Sequence, residues 1–128
     1  MDKKWVVLAV DDNVQQLNEF KTFLVPQYDL RVVKSAAEAI SFLYKNDADI
    51  ILLDIEMPNI SGFEFLADIR KVPSHIDTPI IIITGNSGSE LEGKAKKASV
   101  YDIFYKPITP ELLINTIEKA LAGKTKSS

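Results

Sequence analysis

The sequence predicts an α/β domain: a five-stranded parallel sheet with helices on both faces. Short apolar runs alternate with stretches of helical periodicity, strand then helix, five times along 128 residues. The runs are continuous in isoleucine, valine and leucine, as expected of strands buried on both faces. The connections are short, which imposes right-handed crossovers and parallel pairing. The expected strand order is 2-1-3-4-5, with strands 1 and 3 flanking the point where the order reverses.

The first strand is read near Lys4–Val10 and ends in Asp11-Asp12; a helical pattern near Val14–Leu24 follows. The second strand lies near Asp29–Val33. Its helix, near Ala36–Asn46, is announced by Ser35-Ala36-Ala37-Glu38, which fits the box in which Ser and Glu satisfy orphan amides reciprocally. The third strand, Ile50–Leu53, ends in Asp54, and Met57-Pro58-Asn59 makes a turn before a helix near Gly62–Arg70, with Ser61 and Glu64 as a second box. The fourth strand, Pro79–Ile83, delivers Thr84-Gly85. The helix near Gly88–Ala98, with Ser87 and Glu90 as a third box, has a thin stripe of Leu91, Ala95 and Ala98 and contains Gly93. So little apolar area makes it the element expected to move most. The fifth strand, Tyr101–Tyr105, ends in Lys106-Pro107. Thr109-Pro110 caps the last helix, Pro110–Ala122, whose stripe is Leu112, Leu113, Thr116, Ile117, Ala120 and Leu121. Residues 1–122 read as one domain and 123–128 as a polar, disordered tail or linker stub.

Composition narrows the function classes. With 46% hydrophobic and 26% charged residues the chain has the make-up of a soluble globular protein. A net charge of −3 without a basic block gives no nucleic-acid surface. No stretch approaches the apolar length of a membrane helix, and the N-terminal apolar run is too short for a secretory signal. The chain has no cysteine, which fits a reducing cytoplasm and removes thiolate chemistry. One histidine, His75, in the loop Pro73-Ser74-His75-Ile76-Asp77, reads as exposed; with no cysteine beside it a zinc site is not expected.

Four strand ends thus place Asp11, Asp12, Asp54, Thr84 and Lys106 on the carboxyl rim of the sheet, where open α/β sheets bind ligands. Three carboxylates gathered there repel one another unless a cation or Lys106 offsets them. Mg²⁺ suits carboxylates, carbonyls and water. A lysine beside an attacked carboxylate suits phosphoryl transfer, which is mostly positioning and charge stabilisation.

Asp11-Asp12, Asp54 with the Asp-x-x-Met-Pro pattern through Pro58, Gly62, Thr84 and Lys106-Pro107 stand in order on successive strand ends. On these residues almost the whole chain resembles a response-regulator receiver domain of two-component signalling, a flavodoxin-like fold. The resemblance implies that Asp54 accepts a phosphoryl group from the phosphohistidine of a histidine kinase or phosphotransfer protein. It also implies that Asp12 and Asp54 bind Mg²⁺ directly, Asp11 mainly through water and Glu56 through its backbone carbonyl. Thr84 and Lys106 would hold the phosphoryl oxygens, Pro58 and Gly62 would shape the loop, and Lys106–Pro107 would be cis. Such a switch catalyses its own phosphorylation and dephosphorylation and is not otherwise an enzyme. The output partner is not named by the sequence.

The residues also have plainer readings: Asp12-Asn13 as a helix cap, Thr84 as a strand-end threonine, Lys106 as a solvated lysine, Trp5 and the phenylalanines as core. Three departures from the family pattern stand out, one being Ser99-Val100 where Gly-Ala is usual before strand 5. Ile103 occupies the position, three before the lysine, where receivers often carry a switching aromatic. Glu56 adds a fourth carboxylate at the mouth of the site. The competing functions are a receiver fold used for docking without phosphorylation, and an Mg²⁺-dependent phosphatase with an aspartate nucleophile. The latter carries Asp-x-Asp after its first strand, where this chain has Asp11-Asp12-Asn13.

Overall fold

A computed structural model of the chain describes residues 4–57, 62–85 and 89–122. Five strands and five helices alternate: β1 (Val6–Val10), α1 (Val14–Leu24), β2 (Asp29–Val33), α2 (Ala36–Lys45), β3 (Ile50–Leu53), α3 (Gly62–Arg70), β4 (Ile80–Thr84), α4 (Ser89–Lys97), β5 (Asp102–Tyr105) and α5 (Pro110–Leu121), with a 3₁₀ turn at Pro73–His75. All pairings are parallel and the order is β2-β1-β3-β4-β5. The expected fold class and topology are those observed.

The continuous apolar runs are explained by the two cores they separate. Leu8, Val10, Ile51, Leu53, Ile80 and Ile82 face one way, onto Leu43, Phe65, Leu66 and Ile69 of α2 and α3. Val7, Ala9, Ile50, Leu52, Ile81 and Ile83 face the other, onto Leu17, Phe20 and Leu24 of α1 and Leu113 and Ile117 of α5. Every residue of β3 and β4 is buried, and Thr84, which closes β4, is the one polar side chain among them. Removing so much apolar surface from water is the main stabilising term.

Caps fix where helices begin. Asn13 accepts the Gln16 amide at the start of α1, and Thr109 accepts the Leu112 amide before Pro110 at the start of α5. At α2, Ser35 accepts the Glu38 amide as expected, but the Glu38 carboxylate reaches the Lys34 amide, one residue further out. The boxes at Ser61 and Ser87 lie outside the described residues, as do Pro58 and the tail from 123. Within the last stripe, Leu112 is 43% exposed: it falls on the outer side of α5, while Leu113, Thr116, Ile117 and Leu121 face the core.

His75 corrects the sequence reading. It is buried, not exposed (1% exposure), because it bridges two loops at the amino rim of the sheet. Its Nε2 accepts the Ala48 amide at 3.1 Å, and Nδ1 lies 3.0 Å from Ser74 Oγ. A backbone N–H can only donate, so Nε2 is the acceptor, and the ring proton sits on Nδ1, donated to Ser74. Arg70 stitches the same rim, its guanidinium donating to the carbonyls of His75 (3.1 Å), Thr78 (2.7 Å) and Ser99 (3.3 Å). Ser99 turns the chain from α4 into β5 with a positive φ of 58°.

Candidate functional site

The strand ladders run on for one residue at the carboxyl rim, and this positions the site. The Asp11 amide donates to Val33 of β2, the Asp54 amide to Val10 of β1, and the Lys106 amide to Thr84 of β4. Each backbone is therefore held by its neighbouring strand before its side chain does anything. Lys106–Pro107 is cis, and so is Val25–Pro26.

The side chains converge. Lys106 Nζ donates to Asp54 Oδ2 and to Asp11 Oδ2, both at 2.9 Å. Asp54 Oδ1 accepts the Glu56 amide at 2.8 Å, and Asp11 Oδ1 accepts the Asn13 amide at 2.9 Å. The Asp11 and Asp54 side chains are 2% and 6% exposed, whereas that of Lys106 keeps 22%. Asp12 is exposed beside them. Thr84 is fully buried and donates its hydroxyl to Glu56 Oε1 at 3.3 Å. Pro58 lies outside the described residues and Gly62 opens α3. Ile103 is half-buried against the α2–α3 core.

Burial holds the Asp11 carboxyl above its usual range, and the nearby Asp54 charge adds to this; the bonds from Lys106 and Asn13 only partly offset both. Burial works to lower the Lys106 ammonium, but its bonds to Asp11 and Asp54 outweigh that and its pKa is raised. The buried Asp11 carboxylate is thus net short of positive charge and the lysine net well supplied with negative charge. One oxygen from each of Asp11, Asp12 and Asp54 falls within a cluster spanning 4.8 Å. Three hard anionic oxygens form a donor set suited to Mg²⁺.

Sequence reasoning named these positions but not all their contacts. Asn13 serves both α1, as its cap, and Asp11, through its amide. Glu56 meets Asp54 through its N–H and Thr84 through its carboxylate. Tyr105 donates to Glu92 at 2.7 Å, joining β5 to α4, a contact no local pattern announces.

The family model for the response regulator receiver domain matches residues 7–118. The chain belongs to that family. It is 32% identical over 124 residues to the hydrogenase transcriptional regulatory protein HoxA of Cupriavidus necator, covering 96% of this chain and 25% of HoxA. It is 34% identical over 122 residues to the transcriptional regulatory protein NatR of Bacillus subtilis, covering 93% of this chain and 51% of NatR. The chain thus spans about half or less of these relatives. Chemotaxis protein CheY4 of Vibrio cholerae superposes with a TM-score of 0.86 at 28% identity, over 92% of this chain and 99% of that one. The CheY-like receiver of Methanospirillum hungatei, at 24% identity and a TM-score of 0.86 over 93% and 94%, shares the fold. Receiver domains are the phosphorylation-dependent switches of two-component signalling. They are phosphorylated by histidine kinases or phosphotransfer proteins and generally bind Mg²⁺ at an acidic pocket. Among the described residues no helix is long and apolar enough to cross a membrane.

Proposed function

We propose that this receiver takes a phosphoryl group onto Asp54 from a phosphohistidine and works as a cytoplasmic signalling switch. One observation carries the assignment: Lys106 and a backbone amide hold both Asp11 and Asp54, but only at Asp54 does the residue giving that amide, Glu56, also accept the Thr84 hydroxyl. Asp54 thus sits between Lys106 and the Glu56–Thr84 pair, with a cation where phosphoryl charge develops.

In the transfer a carboxylate oxygen of Asp54 attacks phosphorus. The new O–P bond forms as the N–P bond of the phosphoimidazole breaks, and the electron pair stays on that nitrogen; with the ring's other nitrogen already protonated, neutral imidazole departs. Lys106 stays within reach of the transferred oxygens, and the Thr84 hydroxyl is a donor for one of them. In the discharge by hydrolysis water attacks phosphorus, the bond from the Asp54 oxygen to phosphorus breaks, and Asp54 leaves as carboxylate while the water's protons go to the inorganic phosphate product. The domain catalyses both of its own steps by positioning and charge alone. Asp12 and Asp54, with Asp11 through water and the Glu56 carbonyl, would hold Mg²⁺, which supplies charge neutralisation between carboxylates and phosphoryl oxygens when bound.

Incubation with acetyl phosphate and Mg²⁺ tests this: intact mass should rise by about 80 Da, one phosphoryl group. Undiminished labelling of Asp54→Asn, or labelling indifferent to a chelator, overturns the assignment.

A further inference from the structure

We propose that Glu56 is an internal stand-in for the phosphoryl group, an anionic latch that occupies Thr84 until a phosphoryl oxygen displaces it. The inference rests on Asp54 being the phosphoacceptor. Glu56 touches both ends of the switch at once. Its amide donates to Asp54 Oδ1 at 2.8 Å, which fixes its backbone over the acceptor. Its Oε1 accepts the Thr84 hydroxyl at 3.3 Å and lies 3.8 Å from where a Cβ on Gly85 would stand, so the carboxylate rests against the end of β4.

The chemistry of the two acceptors is the same. A carboxylate and a phosphoryl group both present anionic oxygens, and each accepts a charge-assisted hydrogen bond, roughly twice as strong as a neutral one. Thr84 has one hydroxyl proton to give. Donation to Glu56 and donation to a phosphoryl oxygen therefore exclude each other. The residues differ in what surrounds them: Thr84 is fully buried while Glu56 is exposed. Once displaced, the carboxylate has water to enter and Thr84 has none. The exchange is thus one-sided: the hydroxyl changes partner in place and Glu56 leaves.

This gives a chain with Ile103 a means of coupling Thr84 to the state of Asp54 without a swinging ring. Glu56 is a positioning residue here: it acts through Thr84 and sets how readily the site accepts a phosphoryl group. Repulsion between the Glu56 charge and an incoming anion also opposes loading, but that effect does not run through the Thr84 hydroxyl, so a double-mutant cycle separates the two.

Beryllofluoride with saturating Mg²⁺ is the probe, titrated by calorimetry at fixed ionic strength. Glu56→Ala should tighten binding by roughly three- to tenfold, the range of an ordinary hydrogen bond, because the exposed Glu56 carboxylate is screened by water. In a Thr84→Val background the gain should shrink below about twofold, and in Thr84→Ser, which keeps the hydroxyl, it should persist. Glu56→Gln, which keeps an acceptor oxygen without the charge, should fall between wild type and Glu56→Ala. A gain of equal size in the Thr84→Val background overturns the latch and leaves charge repulsion as the cause. An Asp54→Asn variant that binds beryllofluoride as tightly as wild type overturns the phosphoacceptor reading and the latch with it.

Discussion

Lys106 Nζ stands 2.9 Å from Asp54 Oδ2, reaching from the end of β5 past the end of β4 to that of β3. The same ammonium holds Asp11 at the same distance, so one cation serves two buried carboxylates. Its removal leaves both without a counter-charge.

Lys106→Met should therefore destabilise the metal-free protein by about 2 kcal/mol, the cost of leaving buried charged groups unpaired at a partly solvated site. Since the Lys106 pKa is raised in the fold, its contribution is complete below the ordinary lysine value of 10.5 and is lost as pH climbs through the folded value. Thermal unfolding in EDTA and in Mg²⁺ checks the pairing: Mg²⁺ should recover part of the loss and stabilise the variant more than wild type. Equal Mg²⁺ shifts for the two proteins would count against a shared carboxylate cluster.

At neutral pH Asp11 contributes oppositely to Lys106, although both pKa values are raised. Its carboxyl titrates above 3.8 in the fold because it is buried, so the native state holds a proton that the unfolded chain releases. Stability accordingly falls as pH rises from the ordinary value through the folded one, and at neutral pH the ionised group is a burden. Asp11→Asn should raise the melting temperature of the metal-free protein at pH 7, and the gain should fade as pH approaches 3.8. A gain unchanged between pH 7 and pH 4 would place the effect in packing and not in charge.

Mg²⁺ itself should stabilise the wild type by about 2.7 kcal/mol at a hundredfold excess over its dissociation constant. Asp12→Ala should weaken that shift more than Asp11→Ala, since Asp12 stands exposed at the edge of the carboxylate cluster while Asp11 is buried in it. Overlapping Mg²⁺ titration curves for the two variants would reject this division of labour.

His75→Ala tests the far rim. It leaves the Ala48 amide buried without its acceptor and opens a void, for a cost of about 2–4 kcal/mol. Phosphoryl uptake from acetyl phosphate at a temperature where the variant is folded should match wild type. Reduced uptake by the folded variant would show that the two rims are coupled.

The fold and the site positions were legible because both rest on strong local signals. Continuous apolar runs such as Ile50–Leu53 and Ile80–Ile83 admit few structures, and each ends in a residue whose chemistry differs sharply from the run. What escaped were contacts between segments far apart in sequence. His75 sits among polar and turn-forming residues, and nothing local shows that Ala48, 27 positions earlier, supplies its partner. Leu112 fits an apolar stripe, yet the register of α5 on the sheet turns it outward. Glu56 was legible as a charge at the mouth, but not as the partner of Thr84, because a flexible side chain chooses its acceptor only once β3 and β4 are side by side.

The bond from Arg70 to the Ser99 carbonyl has a mechanical consequence. It fastens the last turn of α4 to α3, with the Ala98, Ser99 and Val100 amides closing back on that turn and Ala95 sunk in the core. A rotation of α4 would therefore be resisted most at its carboxyl end. The Tyr105–Glu92 bond ties the helix a second time, to β5. A displacement of α4 would then have to swing about the rim remote from the chemistry and stretch that second tie, so the two bonds together set the direction in which the helix yields.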